Sequence, residues 1–287
     1  MKGEDVLKLS YTAKVEDNDK LLKNVAKKHL LLSNRFFNKL KLEKHIYINN
    51  KEAFANDVIK TGDTITVDLD YDEEDNTIAQ KSNLDILYED DWYIAVNKPS
   101  AMVVHPCSYH PDHTLANYIK YYLNNNKKIR PVNRLDNGTS GIVLFAKNEY
   151  AQELFKNIKN VTKEYIAIVE GKLDKKEGTI DAPIARKEGS IIERCVNYDK
   201  GQRAITHYKV LEEYKDRTKV LVNLETGRTH QIRVHFAYIG HPLVGDSLYN
   251  EKYFGKKDIS SQELHAYRLE FKHPINGNYV NIICKKG

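Results

Sequence analysis

Residues 134–141 read "RLDNGTSG", placing an arginine, a carboxylate, two glycines and two hydroxyls within eight positions. The flanks, "KIRPVN" (128–133) and "IVLFAKN" (142–148), read as strand edges, so Asp136 falls at a strand–turn junction. Folds commonly place chemistry on such junctions, because a rigid element then aims an accessible side chain. Taken alone, an Asp here is more often a solvated residue of an Asx-turn. A partner elsewhere in the chain has to decide between the two readings.

The segment "TGRTHQIRVH" (226–235) supplies a candidate. It opens a helix continuing to "FAYIG", with Ile232, Phe236 and Ile239 spaced for burial, Gly240 as the stop and Pro242 beyond. Arg228, His230, Gln231, Arg233 and His235 make the helix start unusually polar, and no acidic residue accompanies the arginines. Arg233, between Ile232 and Val234, points partly inward and needs a carboxylate. Asp136 is the expected partner, and such a pair favours the charged carboxylate and fixes its orientation. Asp246 in "VGDSLY" reads as a structural turn residue, although a second carboxylate near Asp136 would also suit glycosidase-like acid/base work.

The remaining chain reads as two parts and a connection. Residues 1–69 hold two short helices within 18–48, with Ser33 or Asn34 capping the second, then a hairpin around Asn49–Asn50 and a closing strand after "TGD". Residues 70–83, "DYDEEDNTIAQKSN", are acidic and aperiodic and read as a linker. From residue 84 to 287, helices at 114–125, 148–160 and 228–240 interrupt many alternating segments, among them "EYIAIVEG", "ITHYKVLEEY", "KVLVNLE" and "ELHAYRLEF". Strands without regular βαβ alternation predict an α+β fold with a mainly antiparallel, mixed sheet flanked by helices.

Composition narrows the partners. The chain has 287 residues, 41% hydrophobic and 30% charged, as expected of a globular protein. No apolar run approaches the roughly 20 residues of a membrane span, and the N-terminus is too polar for a signal peptide. Three scattered cysteines without CxxC spacing argue against a disulfide framework and for a reducing cytoplasm. Net charge is +5, unevenly spread: residues 20–60 carry 10 basic and 3 acidic side chains, 61–90 carry 1 and 10. A basic patch and a basic body suit a polyanionic partner such as nucleic acid.

"NRLDNGTSGIVLFAKN", "KEYIAIVEG", "TGRTHQIRVHFAYIGHPLVGDSLY" and "ELHAYRLEFKHP", preceded by "YIAVNKPSAMVVHP", together resemble the RluA-type family of RNA pseudouridine synthases. The motifs occur in the family's order across roughly residues 84–275. The resemblance implies a pseudouridine synthase fold and isomerisation of uridine in structured RNA, ribosomal most readily and transfer RNA otherwise. It implies that Asp136 is the catalytic carboxylate, Tyr165 lies against the uracil and assists loss of the carbon-5 proton, and Arg233 pairs with Asp136. Arg134 would enter the RNA stack vacated by the target nucleotide. Lys163, Arg228, His230 and Gln231 would contact RNA or support the site. Asn133 stands where the family often has His, and Asn137 where it often has a larger or charged residue. Residues 1–69 more weakly resemble a small RNA-binding module shared with a ribosomal protein. No cofactor or metal is implied, and the chain is expected to act as a cytoplasmic monomer.

The residue types suit that chemistry. A carboxylate beside a ribose can attack the sugar carbon or remove a neighbouring proton, and both routes need it deprotonated. An aromatic face and an inserted arginine suit a base taken out of its stack. Lys98 in "NKP" is read either as a solvated strand end or as an RNA contact. His105, Cys107, His110 and His113 have ligand identity, but Pro106 and Pro111 break any regular scaffold for zinc. The competing readings are an RNA-binding protein without turnover and a metal-dependent hydrolase using that histidine run.

Overall fold

The computed structural model describes residues 7–124, 127–256 and 261–286. Backbone contacts divide the chain into two units: residues 1–76 with 125–130 and 146–157, and residues 77–124 with 131–145 and 158–287.

In the first unit, strands β1 (Lys8–Thr12), β2 (Ile46–Ile48), β3 (Lys51–Glu52) and β4 (Thr64–Asp68) form a sheet in the order β1-β4-β2-β3. Helices α1 (Leu22–His29) and α2 (Asn34–Leu42) bury Leu22, Val25, Phe36, Phe37 and Leu40. Of the two expected caps, Ser33 fills the position, its hydroxyl accepting from the Phe36 amide at 3.1 Å. Asn49 and Asn50 take φ of 50° and 63°, the left-handed pair that a two-residue hairpin of matching twist requires.

Helix α4 (Glu149–Lys156) belongs to this unit, its Tyr150 hydroxyl donating to the Leu30 carbonyl at 3.0 Å. The acidic stretch is less solvated than its composition suggests. Glu73 is buried in a forked ion pair with Arg130, and Glu149 accepts from Arg35 and Lys39 at 2.8 and 2.7 Å.

The second unit is built on a large sheet of strands β5 (Ile86–Glu89), β6 (Tyr93–Lys98), β7 (Arg130–Pro131), β8 (Ser140–Ala146), β9 (Thr162–Glu170), β10 (Glu177–Asp181), β13 (Ile205–Glu213), β14 (Arg217–Leu224), β15 (Leu264–Lys272) and β16 (Tyr279–Ile283). Its main path runs β10-β13-β14-β9-β15-β8-β6-β5, with β16 beside β15 and β7 beside β8. The β10/β13, β13/β14, β14/β9, β9/β15, β15/β16 and β5/β6 pairs are antiparallel, whereas β15/β8 is parallel. This is the α+β class that the alternating segments predict. Helix α3 (Leu115–Leu123) begins after Thr114, whose amide donates to Asn117 Oδ1 at 3.0 Å. No described helix is long and apolar enough to cross a membrane.

Helix α5 (Gln231–Tyr238) lies between two layers, which explains its composition. Ile232 and Phe236 pack with Ala167 and Val169 of β9 and Val220 and Val222 of β14. On its other side Val234 meets Ile184, at a hairpin of β11 (Ile184–Arg186) and β12 (Arg194–Val196). Every residue from Gln231 to Phe236 is therefore buried, and each polar one needs a partner. His235 has Thr206 Oγ1 at 2.8 Å and the Ala182 carbonyl at 2.9 Å.

Candidate active site

The stretch Asn133–Thr139 is an irregular loop feeding β8, pinned along with the first residue of that strand at several backbone and side-chain atoms. The Lys98 ammonium donates to the carbonyls of Pro99, Met102 and Asn137 at 3.0, 2.7 and 2.9 Å. Ser100 Oγ donates to the Gly138 carbonyl at 2.7 Å, Gln262 Nε2 donates to Thr139 Oγ1 at 2.9 Å, and Ser140 Oγ lies 2.8 Å from His265 Nδ1. Gly141 shows why the motif ends in glycine. Its φ is +106°, and a Cβ there would lie 2.3 Å from the Ala266 carbonyl oxygen on the parallel neighbour β15.

Asp136 is thereby presented to a cleft of about 530 Å3, also lined by Arg134, Lys163, Tyr165, Arg228 and His230. Arg233 Nη1 donates to Asp136 Oδ2 at 3.1 Å, as expected. It is not the principal ion pair, however. Arg233 gives Nε and Nη2 to Asp246 at 2.7 and 2.8 Å, and that carboxylate is 1% exposed. Asp246 keeps its turn role too, accepting from the amides of Leu248 and Tyr249 at 3.0 and 3.2 Å. The sequence reading missed this second function; "GD" at a turn soon after an inward-facing Arg is the available signal.

Tyr165 stands on β9 and shares the inner recess of the cleft with Asp136 and Arg233. Burial, reinforced by the Asp136 charge, pushes its phenol up to about 12, so it is neutral at physiological pH. Lys163, two residues earlier on the same strand face, has its pKa lowered by burial. Arg134 and Arg228 are exposed at the cleft, Arg228 Nε donating to the Arg203 carbonyl at 3.1 Å. His230 takes a left-handed conformation, φ 58° and ψ 18°, at the start of α5, and its Nε2 lies 3.8 Å from Asp136 Oδ2.

Lys98 requires correction as an RNA contact, and Gln231 takes the supporting alternative. Lys98 is wholly buried, and its three donors are spent on backbone carbonyls, so it anchors the Asp136 loop instead of reaching RNA. Burial outweighs the attraction of Asp136 and lowers its pKa to about 8. Gln231 is 3% exposed; its carbonyl accepts from the Arg228 amide and Thr226 hydroxyl, and its amide donates to Ile205 O and Thr206 Oγ1. It supports the helix start, its polar atoms engaged by these four partners, and it lines the inner recess of the cleft beside Asp136. Asn133 likewise brackets β8, donating to Ile142 O and accepting from the Leu144 amide. The histidine run folds as a turn closed by backbone bonds between Cys107 and His110. Among the described residues no group of three or more His, Cys, Asp or Glu is arranged to hold a metal ion.

An open, charged cleft with a carboxylate oriented by a buried guanidinium beside a tyrosine defines a site for an anionic, ring-bearing substrate. Comparison with known proteins specifies it. Residues 92–238 match the RNA pseudouridylate synthase family. A Bacillus subtilis protein named an uncharacterized RNA pseudouridine synthase, YlyB, is 42% identical over 82% of this chain and 80% of its own length. The ribosomal large subunit pseudouridine synthase D of Pseudomonas aeruginosa is 36% identical over 77% of this chain and 74% of its own. The structure of human RNA pseudouridylate synthase domain containing 1 aligns with a TM-score of 0.60 and 29% identity, covering 73% of this chain and 86% of that one. The chain belongs to the RNA pseudouridylate synthase family. It is an isomerase that converts uridine to pseudouridine in RNA.

Proposed function

We propose that Asp136 is the carboxylate that carries the isomerisation, and that the substrate is a structured ribosomal RNA. The observation that carries the first part is the Asp136–Arg233 contact at 3.1 Å at the floor of a nucleotide-sized cleft. Arg233 is itself immobilised by the forked bond to Asp246, so one Asp136 oxygen is held while the side chain stays 28% exposed to the cleft. Such a carboxylate is oriented yet still accessible to a ribose. The relatives named ribosomal large subunit pseudouridine synthase D support the choice of RNA.

The target nucleotide leaves its stack at a cost of a few kcal/mol, offset by new contacts in the cleft. Arg134 is exposed where it can occupy the vacated space, and Lys163 and Arg228 line the same cleft for the flanking phosphates. Tyr165 packs against the uracil ring. As a neutral phenol it is a poor base at first. When Asp136 bonds to the sugar or takes a proton, the negative charge beside Tyr165 disappears, and with it one of the two causes raising its pKa. Tyr165 then gives up its phenolic proton to solvent more readily, and the phenolate so formed takes the proton that carbon 5 must lose. Residues 1–69 are proposed to add RNA contacts through Lys23, Lys27 and Lys28 on α1, since Arg35 and Lys39 on α2 are engaged by Glu149.

The test is tritium release from ribosomal RNA labelled at uridine carbon 5. Wild type should release tritium and Asp136→Asn should not. Equal release by both would refute the assignment of Asp136. Release from transfer RNA transcripts alone would refute the ribosomal substrate.

A further inference from the structure

Tyr249 has no part in the proposed chemistry, yet it touches three elements of the site. Its amide is held by Asp246 Oδ1 at 3.2 Å, its ring lies under the Arg233 guanidinium at 5.0 Å, and the same ring meets His230 edge-on at 5.6 Å. Its hydroxyl accepts from the Arg194 backbone amide of β12 at 2.8 Å and lies 2.8 Å from His230 Nδ1. An amide can only donate, so the phenolic oxygen is the acceptor in the first bond. The phenolic hydrogen remains free to donate, and His230 Nδ1 at 2.8 Å is an acceptor within its reach when that nitrogen is bare.

We infer that Tyr249 is a positioning residue that locks His230 in the Nε2–H form, aiming that hydrogen at a substrate oxygen held beside Asp136. The inference rests on the reading of Asp136 given above. Nε2 and Asp136 Oδ2 are 3.8 Å apart, too far for a direct hydrogen bond, and both residues line the cleft. A ribose or phosphate oxygen entering that gap meets a donor on one side and the carboxylate on the other. The imidazole is neutral there: burial lowers its pKa ahead of the opposing pull of Asp136, and Arg233 lowers it further. A neutral ring has a single hydrogen, so the tautomer decides whether the cleft sees a donor or an acceptor. The left-handed backbone of His230 is a further cost accepted at this position, as is common where a side chain must be aimed.

Long-range proton–nitrogen correlation spectra of histidine-labelled protein without RNA read the tautomer directly, with His230→Gln assigning the signal. Wild type should show the Nε2-protonated pattern, and Tyr249→Phe should populate the Nδ1-protonated one. An Nδ1-protonated wild type, or an unchanged pattern in Tyr249→Phe, would overturn the lock. In single-turnover assays Tyr249→Phe should slow conversion about tenfold, the worth of one hydrogen bond, with RNA affinity little changed. His230→Gln, whose amide nitrogen falls near Nε2, should retain more activity than His230→Asn, whose amide falls near Nδ1; the reverse order would overturn the donor role. Turnover by Asp136→Asn would remove the reading of Asp136 alone, because the spectra do not depend on it.

Discussion

Arg233 and Asp246 form a forked ion pair in the protein interior, with Nε and Nη2 at 2.7 and 2.8 Å from the two carboxylate oxygens. Arg233 reaches Asp136 only with the nitrogen left over, at 3.1 Å. The buried acid sets the guanidinium, and the guanidinium sets the acid that faces the cleft.

Removing Asp246 should therefore destabilise the fold more than removing Asp136. Asp246→Asn leaves a buried guanidinium short of its partner, a loss of about 3 kcal/mol for breaking a buried pair from one side. Urea unfolding should show the drop for Asp246→Asn and a much smaller one for Asp136→Asn. Similar midpoints for the two variants would contradict this hierarchy.

Lys98 predicts an unusual alkaline behaviour. Its pKa falls from the ordinary 10.5 to about 8 on folding, because burial disfavours the ammonium. Below pH 8 both folded and unfolded chains carry the proton; between about 8 and 10.5 only the unfolded chain does. The contribution of Lys98 to stability therefore rises with pH across that window. The unfolding free energy of wild type minus that of Lys98→Met, measured from pH 7 to 10.5, should increase; a flat or falling difference would count against a depressed pKa.

Gly141 has no room for a methyl group. Gly141→Ala would drive Cβ against the backbone of Ala266, at 2.3 Å from its oxygen and 2.7 Å from its nitrogen, in a left-handed conformation. Strain against backbone cannot be relieved by a rotamer change, so a loss on the order of 3 kcal/mol or more is expected. Gly62, also left-handed but with nothing within 4 Å, supplies the control: Gly62→Ala should cost only about 1 kcal/mol. Thermal unfolding of the two variants checks the contrast.

Arg134 tests the RNA reading at an exposed position. Arg134→Ala should leave unfolding within about 0.5 kcal/mol of wild type. Conversion of the RNA should nonetheless slow by more than about tenfold if the side chain fills the gap left by the target nucleotide. Unchanged turnover would remove the intercalating role.

Much of this was legible along the chain. The strand edges around 134–141, the apolar spacing of Ile232, Phe236 and Ile239, and the Ser33 cap are local patterns, and local patterns report local structure. The same signals expose residue types suited to sugar and base chemistry, and the approach of Arg233 to Asp136 followed from the cost of burying a lone guanidinium.

What only the tertiary structure decided is how the polar groups divide their partners. A Lys beside a Pro looks solvated until the carbonyls of Pro99 and Met102 in the following turn, and of distant Asn137, enclose it, and Gln231 looks available until four groups claim its amide. The acids of residues 70–83 look like a solvated run, yet Glu73 finds Arg130 across 57 positions of chain. Hydrogen bonds and ion pairs are short-ranged in space but unconstrained in sequence separation. One strand of letters therefore shows which groups need partners, and only the folded chain shows which partner each one has.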